Sequence, residues 1–299
     1  MVNNKNKQPL LDRPDFIPEF TQWEKFKDTV IGITGHRGVL GSIIFKRFCK
    51  AGVNVEAYQG DILDVGSLTS WFGKRQFSHF FHFAAFVPVA ETEKNPLKAF
   101  EVNAIGNFNL CKQIKSTQRN CWSFFASSSH IYKPSGVCPA ASLTIHSEAA
   151  PGSAYGKSKY VGDLMVQYLL DKRDISYCVG RIFSFTHWEQ EEPYLIPTLT
   201  NKIKALKDGE TLHLINPDSV RDIMDAESVI DAILYVAERK FNGVINIGSG
   251  VGMSVNQIAE LLVERLNRRL LITGENKTEP NSLVADITEL QKIIKSVIC

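Results

Sequence analysis

A glycine-rich turn between an apolar run and a helical pattern constrains the fold of this chain more than any other feature. Gly35, Gly38 and Gly41 follow the strand-like run 29–34 and open a helical pattern that begins at Val39. Glycines in this context allow a tight turn, a close approach of the backbone to a phosphate and close packing of helix on strand. The N-terminus of the helix also favours an anion. The turn therefore predicts a site for the pyrophosphate of a dinucleotide.

Strand-like and helical runs alternate from residue 29 to residue 181. Runs rich in β-branched and aromatic residues predict strands over 29–34, 53–58, 79–84, 121–127 and 175–181. Amphipathic patterns predict helices over 39–51, 96–115 and 154–170. This alternation is the signature of βαβ units. It predicts an α/β fold with a doubly wound parallel sheet, the Rossmann arrangement.

The pattern changes after Arg181, and the chain divides into three expected parts. Prolines interrupt the next stretch, a strand-like run follows at 244–247, and a helix is predicted over 254–266 with Ser254 as its N-cap. The polar N-terminus lacks the apolar centre of a secretory signal peptide and is interpreted as a docking arm or a loose tail. The expected parts are an N-terminal arm over 1–28, a dinucleotide-binding Rossmann domain over 29–181, and a mainly substrate-binding lobe over 182–299 from which 221–248 returns to the Rossmann domain.

Composition limits the partners and the compartment. The 299 residues are 44% apolar, which is enough to bury a full core. The formal net charge is +2 and the basic residues are scattered, which argues against nucleic acid and anionic membranes and favours a small-molecule partner. The longest apolar run, 79–90, is far shorter than the roughly 20 residues that span a bilayer. The 6 cysteines show no C-x-x-C spacing, so we expect buried free thiols in a reducing, cytoplasmic setting and no metal site.

A tyrosine and a lysine one helical turn apart form the candidate catalytic pair. A phenol ionises at about pH 10, so it acts as an acid or base near neutrality only when its phenolate is stabilised. Lys159 lies four residues after Tyr155 on the same helix face and supplies a positive charge. By itself this spacing is common on helix surfaces. Downstream of a nucleotide-binding pattern and of the serines 127–129, it predicts proton transfer by Tyr155, with Lys159 lowering the pKa of the phenol.

The end of the second strand bears on the choice of cofactor. NAD sites usually place a carboxylate there to bind the ribose hydroxyls, but the run 53–58 ends at Gln59. Arg37 in the glycine turn offers a guanidinium for a 2′-phosphate. We therefore predict a preference for NADP(H), and Glu56 or Asp61 leaves NAD open as the alternative.

From about Thr29 to Leu266, the chain resembles the extended short-chain dehydrogenase/reductases that act on nucleotide sugars, the NAD-dependent epimerase/dehydratase family. Beyond the glycine turn and the Tyr/Lys pair, the resemblance rests on the segments 61–62, 82–85, 102–103, 128–132 and 221–223. The glycine turn and the segment 128–134 are most similar to the GDP-fucose synthases. The segments 60–64 and 84–91 are similar to the dTDP-4-dehydrorhamnose reductases.

The resemblance implies a role for each candidate residue. The catalytic residues it implies are Ser128, Tyr155 and Lys159. The cofactor-binding residues it implies are Gly35, Arg37, Gly38, Val39, Leu40, Gly41, Asp61, Ile62, Ala84, Ala85, Asn103, Tyr155 and Lys159. The substrate-binding residues it implies are Ser129, His130, His187 and Arg221. In this family the asparagine supports the lysine, the serine hydrogen-bonds the substrate oxygen, the arginine grips the nucleotide diphosphate, and two chains form a homodimer through helices 96–115 and 154–170.

The implied reaction is reduction of a 4-keto nucleotide sugar by hydride transfer, with Tyr155 as the general acid. The alternative is a 4-epimerase with tightly bound NAD, and a more distant one is a non-catalytic nucleotide-binding redox sensor. Dehydratases of the family carry an acid where this chain has Ser129 and His130, which disfavours dehydration. The family motif that begins at Arg181 lacks its Asn, Tyr, Gly and Pro here, so the sugar stays open. His130 or His187 is either a second proton donor or a polar side chain of the pocket.

Overall fold

A computed structural model describes residues 11–137, 141–171 and 175–298 of the chain, and its strands form one large and two small sheets. In chain order the strands are β1 (Val30–Thr34), β2 (Asn54–Ala57), β3 (His79–His82), β4 (Trp122–Ser128), β5 (Ser135–Gly136), β6 (Tyr177–Ile182), β7 (Ser184–Thr186), β8 (Thr211–Ile215), β9 (Val220–Asp225), β10 (Gly243–Ile247), β11 (Gly252–Ser254), β12 (Leu271–Glu275) and β13 (Asn281–Leu283).

The central sheet has six strands in the order β10-β6-β4-β3-β1-β2, and all its neighbouring strands are parallel. At one edge of this sheet Thr34 pairs with His82, and Ser128 pairs with Ile182. The strand order turns back on itself beside β1, as in a doubly wound sheet, so the predicted α/β fold is confirmed. In such sheets ligands bind outside the carboxyl ends of the strands, where the order reverses.

Helices cover both faces of the central sheet. In chain order the α-helices of the described residues are α1 (Val39–Lys50), α2 (Val65–Gly73), α3 (Val89–Lys94), α4 (Pro96–Phe100), α5 (Gly106–Thr117), α6 (Ala154–Asp171), α7 (Leu195–Ala205), α8 (Ala226–Glu238), α9 (Val255–Arg265) and α10 (Thr288–Ile298), of which α7 and α9 belong to a second layer. On one face α8 contacts α1 and α10, and on the other α5 contacts α2 and α6. Each face has its own cluster of buried apolar side chains.

Two helix predictions had different outcomes. The helix predicted over 96–115 is interrupted, because a π-helical turn over Glu101–Ile105 separates α4 from α5. The N-cap at Ser254 is confirmed, because its hydroxyl accepts a hydrogen bond from the Gln257 amide and the Gln257 side chain accepts one from the Ser254 amide. Such a capping box satisfies two backbone donors at once.

The residues after β6 build a second layer beside the carboxyl edge of the central sheet. There β11, β9, β13 and β5 form one small sheet with β7 attached to β9, and β8 pairs with β12. Helices α7 and α9 pack on each other beneath them. The chain then returns, since β10 joins the central sheet and α8 packs against α1. The last helix, α10, also packs against α8 and β10, beyond the returning segment 221–248.

The described part of the N-terminal arm is packed against this same chain. Ile17, Phe20 and Phe26 are buried in the core that also contains α8. The Phe20 amide donates to the carboxylate of Asp231, a residue of α8, at 3.0 Å. Arg13 contacts the same carboxylate at 2.5 Å. From Arg13 onward the segment packs on the Rossmann core, whereas Leu11 is buried among residues of α7 and α9.

The cysteines match the expectation in part. Cys111, Cys121 and Cys178 are free and buried, whereas Cys49 is free and exposed. Cys138 and Cys299 lie outside the described residues. Among the helices described, none combines the length and the apolar character that crossing a bilayer requires.

Candidate active site

A cavity of about 890 Å³ lies between the carboxyl edge of the central sheet and the second layer. Its inner wall comes from the glycine turn after β1, the segment after β3, the end of β4 and the first residues of α6. Its outer wall comes from β7, the beginning of α7 and β9. The cavity therefore occupies the position where sheets of this topology bind their ligands.

The glycine turn leaves no room for a side chain at two of its three glycines, Gly35 and Gly41. Gly35 has a φ of +76°, and a Cβ on it would lie 2.3 Å from the Ala84 amide nitrogen. A Cβ on Gly41 would lie 2.1 Å from the Gly35 carbonyl oxygen. Gly38 is the N-cap of α1, and no side chain caps the amides of this helix. The turn thus presents backbone donors and a helix N-terminus to the cavity, which is the environment that a phosphate group prefers.

Three residues in or near this turn and β2 bear on the choice between NADP and NAD. Arg37 does not line the cavity; its guanidinium donates to the side-chain oxygen of Gln59 at 3.0 Å on the exposed rim. Glu56, one of the two candidate acids for NAD, instead pairs with Arg75 at 2.6 Å. Asp61, the other acid, lines the cavity.

Most of the other predicted cofactor residues also line the cavity. They are Val39, Leu40, Ile62, Ala84 and Ala85. Asn103 is different, because it is buried behind the cavity wall. Its side-chain oxygen accepts from the Phe86 amide at 2.8 Å, and its amide group donates to the Ser158 hydroxyl at 3.0 Å. Asn103 therefore joins the segment after β3 to α6 next to Lys159, which is a supporting position rather than a lining one.

The three predicted catalytic side chains converge on the cavity from two elements. Ser128 is the last residue of β4, whereas Tyr155 and Lys159 lie on the first turns of α6. Burial raises the pKa of Tyr155 to about 12 and the nearby Tyr194 adds to the rise, while a hydrogen bond with Ser128 acts in the opposite direction. Tyr155 therefore keeps its proton at neutral pH.

The surroundings of Lys159 bear on its predicted effect on Tyr155. Its ammonium group donates to the Ala126 carbonyl at 2.6 Å. Burial lowers the pKa of Lys159 to about 8, and the carboxylate of Asp163 counteracts this fall. Desolvation dominates the pKa of Tyr155, and Lys159 is not among the groups that shift it, so the lowering of this pKa by Lys159 stays a prediction.

Arg221 brings a positive charge to the outer wall of the cavity. Its guanidinium donates to the backbone carbonyls of Val220 and Asn281, at 2.7 and 3.1 Å. Within the described ranges no carboxylate pairs with it, and burial lowers its pKa. A half-buried cation without a counter-ion is a natural partner for an anionic ligand.

The residue after Arg221 fixes the outer wall to the central sheet. The buried carboxylate of Asp222 accepts four hydrogen bonds, from the amides of Ser249, Gly250 and Ala285 and from the Ser249 hydroxyl. Ser249 and Gly250 directly follow β10, and Ala285 follows β13. A carboxylate that accepts hydrogen bonds from several backbone amides holds the segments carrying those amides in one relative geometry.

The two candidate histidines occupy different surroundings. His130 lines the cavity beside Ser129, and its ring meets the ring of Tyr155 edge-on at 5.6 Å. Desolvation and the charge of Arg221 lower the pKa of His130, so its imidazole is neutral near pH 7. His187 does not line the cavity; its ring packs on Trp188 at 5.2 Å and accepts from the Glu189 amide at 3.2 Å.

Sequence reasoning missed part of the outer wall. Phe185, Gln190, Pro193 and Tyr194 all line the cavity. They belong to a segment that matches no motif, and Tyr194 lies just before α7 as its N-cap residue. The proline next to this tyrosine is a turn signal, but nothing in the sequence indicates what the turn faces.

The fold and the cavity together define an enzyme of the NAD(P)-dependent short-chain dehydrogenase/reductase class. The chain belongs to the family described as GDP-mannose 4,6 dehydratase, whose family model matches residues 42–296. Its relatives make it a member of the nucleotide-sugar epimerases, dehydratases and reductases.

Individual relatives include enzymes of more than one reaction. The UDP-glucose 4-epimerase of Mycoplasma genitalium is 27% identical over 80% of this chain and 76% of its own length. The GDP-6-deoxy-D-talose 4-dehydrogenase of Aggregatibacter actinomycetemcomitans is 29% identical over 78% of each chain. Among solved structures, RMD from Pseudomonas aeruginosa in complex with NADPH superposes with a TM-score of 0.79 at 19% identity, over 89% of this chain and 92% of that one.

Proposed function

We propose that the protein reduces the 4-keto group of a nucleotide sugar with a reduced nicotinamide dinucleotide. The observation that carries this proposal is the convergence of the glycine turn, Ser128, Tyr155 and Lys159 on one cavity. In a carbonyl reduction the hydride donor and the proton donor act on the same carbonyl, so both must reach one volume.

The described residues fit a dinucleotide. Side chains are sterically excluded at Gly35 and Gly41, which keeps backbone free to approach a pyrophosphate. When bound, the nicotinamide supplies the hydride. The adjoining residues Ala84 and Ala85 are small and line the cavity, which leaves space for the flat rings of the cofactor.

The side chains of the inner wall would supply the proton and stabilise the negative charge that develops on the substrate oxygen. Tyr155, with a pKa of about 12, holds its proton until a more basic alkoxide develops beside it. Ser128 would donate a hydrogen bond to the same oxygen. Lys159 is charged below its pKa of about 8 and would stabilise the negative charge that forms there.

Arg221 supports a nucleotide diphosphate as the recognition element of the substrate. Its guanidinium meets no carboxylate among the residues described, and it faces the cavity opposite the catalytic side chains. A guanidinium binds phosphate oxygens with two parallel hydrogen bonds. Binding energy from this remote group would position the sugar for reaction.

NADP(H) is the proposed cofactor. Arg37 and Gln59 lie together at the end of β2, and Glu56 is occupied by Arg75. A 2′-phosphate would therefore meet the Arg37 guanidinium at that corner, and the nearby Glu56 carboxylate is already paired with a cation. Asp61 keeps NAD as the alternative, because its carboxylate lines the cavity.

A 4-epimerase that holds NAD tightly is the second candidate. The relationship to UDP-glucose 4-epimerases supports it, and the same Ser128, Tyr155 and Lys159 would serve it. An epimerase returns its hydride to the substrate, so the purified protein would carry bound NAD and would consume no added cofactor. A reductase would consume one reduced cofactor for each substrate molecule.

The decisive experiment measures the oxidation of NADPH and NADH with a panel of 4-keto nucleotide sugars. We expect substrate-dependent oxidation of NADPH in equimolar ratio to the alcohol formed. Interconversion of 4-epimers by protein with bound NAD, without net oxidation, would instead establish the epimerase. Binding of cofactor without turnover of any sugar would leave only the redox sensor.

We also propose a homodimer formed by α4, α5 and α6. Leu97, Phe108, Leu164 and Tyr168 on these helices are 81%, 41%, 46% and 65% exposed. Large apolar side chains that share one surface are typical of an interaction site. Sedimentation velocity checks this proposal: a dimer is expected, and a monomer at high micromolar concentration contradicts it.

A further inference from the structure

A buried carboxylate lies one helical turn beyond Lys159. Asp163 on α6 has 2% of its surface exposed. One of its oxygens accepts hydrogen bonds from Arg181 Nε at 2.9 Å and from the Ser127 hydroxyl at 3.2 Å. The other accepts from the side-chain amide of Gln167. The carboxylate is thus held by its own helix and by two strands of the central sheet.

The network continues through Arg181 across the sheet. Arg181 also donates to the Tyr132 hydroxyl at 3.1 Å and to the Ile145 carbonyl at 2.9 Å. The Tyr132 hydroxyl in turn donates to the side-chain oxygen of Asn246, on β10, at 2.6 Å. These contacts add two loop residues and one further strand, β10, to the support of the Asp163–Arg181 pair.

Stability alone is a poor explanation for this pair. Desolvating two charges costs free energy that their attraction often does not recover, and apolar replacements of buried pairs can be neutral or stabilising. The pair lies directly below the side chains that line the cavity, since Ser127 precedes Ser128 and Asp163 shares a helix face with Lys159. The location of the pair therefore indicates a role in the active site.

We propose that Asp163 is a positioning residue of the active site: it places a carboxylate one helical turn from Lys159 on α6 and holds the end of β4 that carries Ser128. This inference rests on the proposed function only for its effect on turnover. Its electrostatic part, the coupling of Asp163 to Lys159, concerns the protein without substrate.

The charges around Lys159 favour this assignment. His82 faces Lys159 from β3, but burial lowers the pKa of His82 to about 3, so it is neutral at working pH. Tyr155 is also neutral below its pKa of about 12. Asp163 is the described group whose charge raises the pKa of Lys159 against the effect of burial. Arg181 partly offsets Asp163 with a charge that does not change over this range.

The first test compares the pH dependence of turnover in Asp163→Asn with that of the wild type. Activity of the wild type should fall as the pH rises through about 8, where Lys159 loses its proton. In Asp163→Asn this fall should move to lower pH by roughly one unit or more, the size of shift that a neighbouring opposite charge produces. Asp163→Glu keeps the charge and should restore the wild-type profile.

Gln167→Ala is the matched control. It removes a hydrogen bond to Asp163 without changing any charge, so the alkaline limb of its pH profile should stay in place. Equal shifts in Gln167→Ala and Asp163→Asn would mean that disturbance of the helix, not charge, moves the profile, and the proposal would be overturned.

The second test needs no turnover. The folded-state pKa of Lys159, about 8, lies below its ordinary value of 10.5, so the native state binds fewer protons and the free energy of unfolding rises with pH between these values. In Asp163→Asn this rise should begin at lower pH. Loss of the Asp163–Arg181 pair also gives a difference in stability that does not depend on pH. The pH-dependent part of the difference between pH 8 and 10.5 should vanish when both proteins also carry Lys159→Met. A pH-dependent difference over this range that persists in the Lys159→Met background overturns the proposal.

The two readouts separate the inference from the proposed function. A pH-dependent stability difference without turnover of any nucleotide sugar would reject the function and keep the coupling. Turnover with identical pH profiles in Asp163→Asn and wild type would support the function and reject the coupling. Should Asp163→Asn not fold, Arg181→Gln removes the offsetting cation and should move the alkaline limb to higher pH; an unchanged limb then rejects the coupling.

Discussion

The ammonium group of Lys159 and the carbonyl of Ala126 are joined by a hydrogen bond of 2.6 Å, which ties α6 to β4 two residues before Ser128. The bond gives Lys159 one orientation in the wall of the cavity. It also couples the helix that carries Tyr155 to the strand that carries Ser128. The three side chains therefore have a fixed relative geometry before any ligand binds, which is the condition for electrostatic catalysis without reorganisation.

Tyr155→Phe should remove most turnover and leave cofactor binding intact. The variant lacks the proton donor but keeps the ring that fills the wall, so a loss of about 10²- to 10⁴-fold in kcat is expected. Steady-state kinetics with a fluorescence titration of NADPH checks both parts. Retained turnover would contradict the role of the phenol, and lost NADPH binding would show that the variant altered the fold.

Arg37→Ala should reduce the preference for NADPH over NADH. The guanidinium lies beside Gln59 at the end of β2, where a 2′-phosphate would be bound, and NADH lacks this group. The ratio of kcat/KM for the two cofactors is the measurement. Arg119→Ala is the matched control, because this exposed arginine lies just before β4, at the opposite edge of the central sheet from the glycine turn, and should leave the ratio unchanged. An unchanged ratio in Arg37→Ala would reject the NADP assignment at this residue.

Arg221→Gln should raise KM for the nucleotide sugar more than it lowers kcat. The arginine would bind the diphosphate in both ground and transition states, so its loss removes uniform binding. About 1.5 to 3 kcal/mol, or roughly 10- to 100-fold in KM, is expected for a charge-assisted hydrogen bond. Arg221→Lys keeps the charge but lacks the planar guanidinium, so its KM should lie between those of the wild type and Arg221→Gln. A kcat effect alone would place Arg221 elsewhere in the reaction.

Asp231→Ala should lower the free energy of unfolding by about 3 kcal/mol, since it leaves two arginines without their shared partner. Asp231 has a fully buried side chain and binds Arg13 and Arg47 at 2.5 Å each. Urea denaturation of the apo protein is the measurement. Asp12→Ala removes a carboxylate that is 93% exposed and pairs with Arg265, so it should change stability little. Equal effects of the two substitutions would reject the role given to the buried cluster.

The inner wall of the site could be predicted from the sequence because its determinants are local. The glycines of the turn and the four-residue spacing of Tyr155 and Lys159 each act over one turn of chain, as does the cap at Ser254 outside the site. Local patterns of this kind can be recognised in a single sequence. The predicted strands of the central sheet are long apolar runs, and the observed bounds differ from them by one or two residues.

The outer wall could not be predicted in the same way. It is part of the second layer, whose strands β5, β7, β11 and β13 have two or three residues each and are too short to show alternation. The π-helical turn at 101–105 continues the apolar pattern of its flanking helices, so nothing marks the interruption. Asn103 and Asp163 act through partners that are 17 and 18 residues away, and such pairings depend on the folded sheet.

The carboxylate of Asp222 has a mechanical consequence for ligand entry. Because it holds the loop after β10 and the segment after β13 at once, the arginine beside it is carried by a stiff joint between the two layers. A substrate of different length would have to be accommodated at another part of the outer wall, where Tyr194 lines the cavity and is 37% exposed. Adaptation among sugars would then occur by reshaping the 187–194 loop around an unmoving anchor.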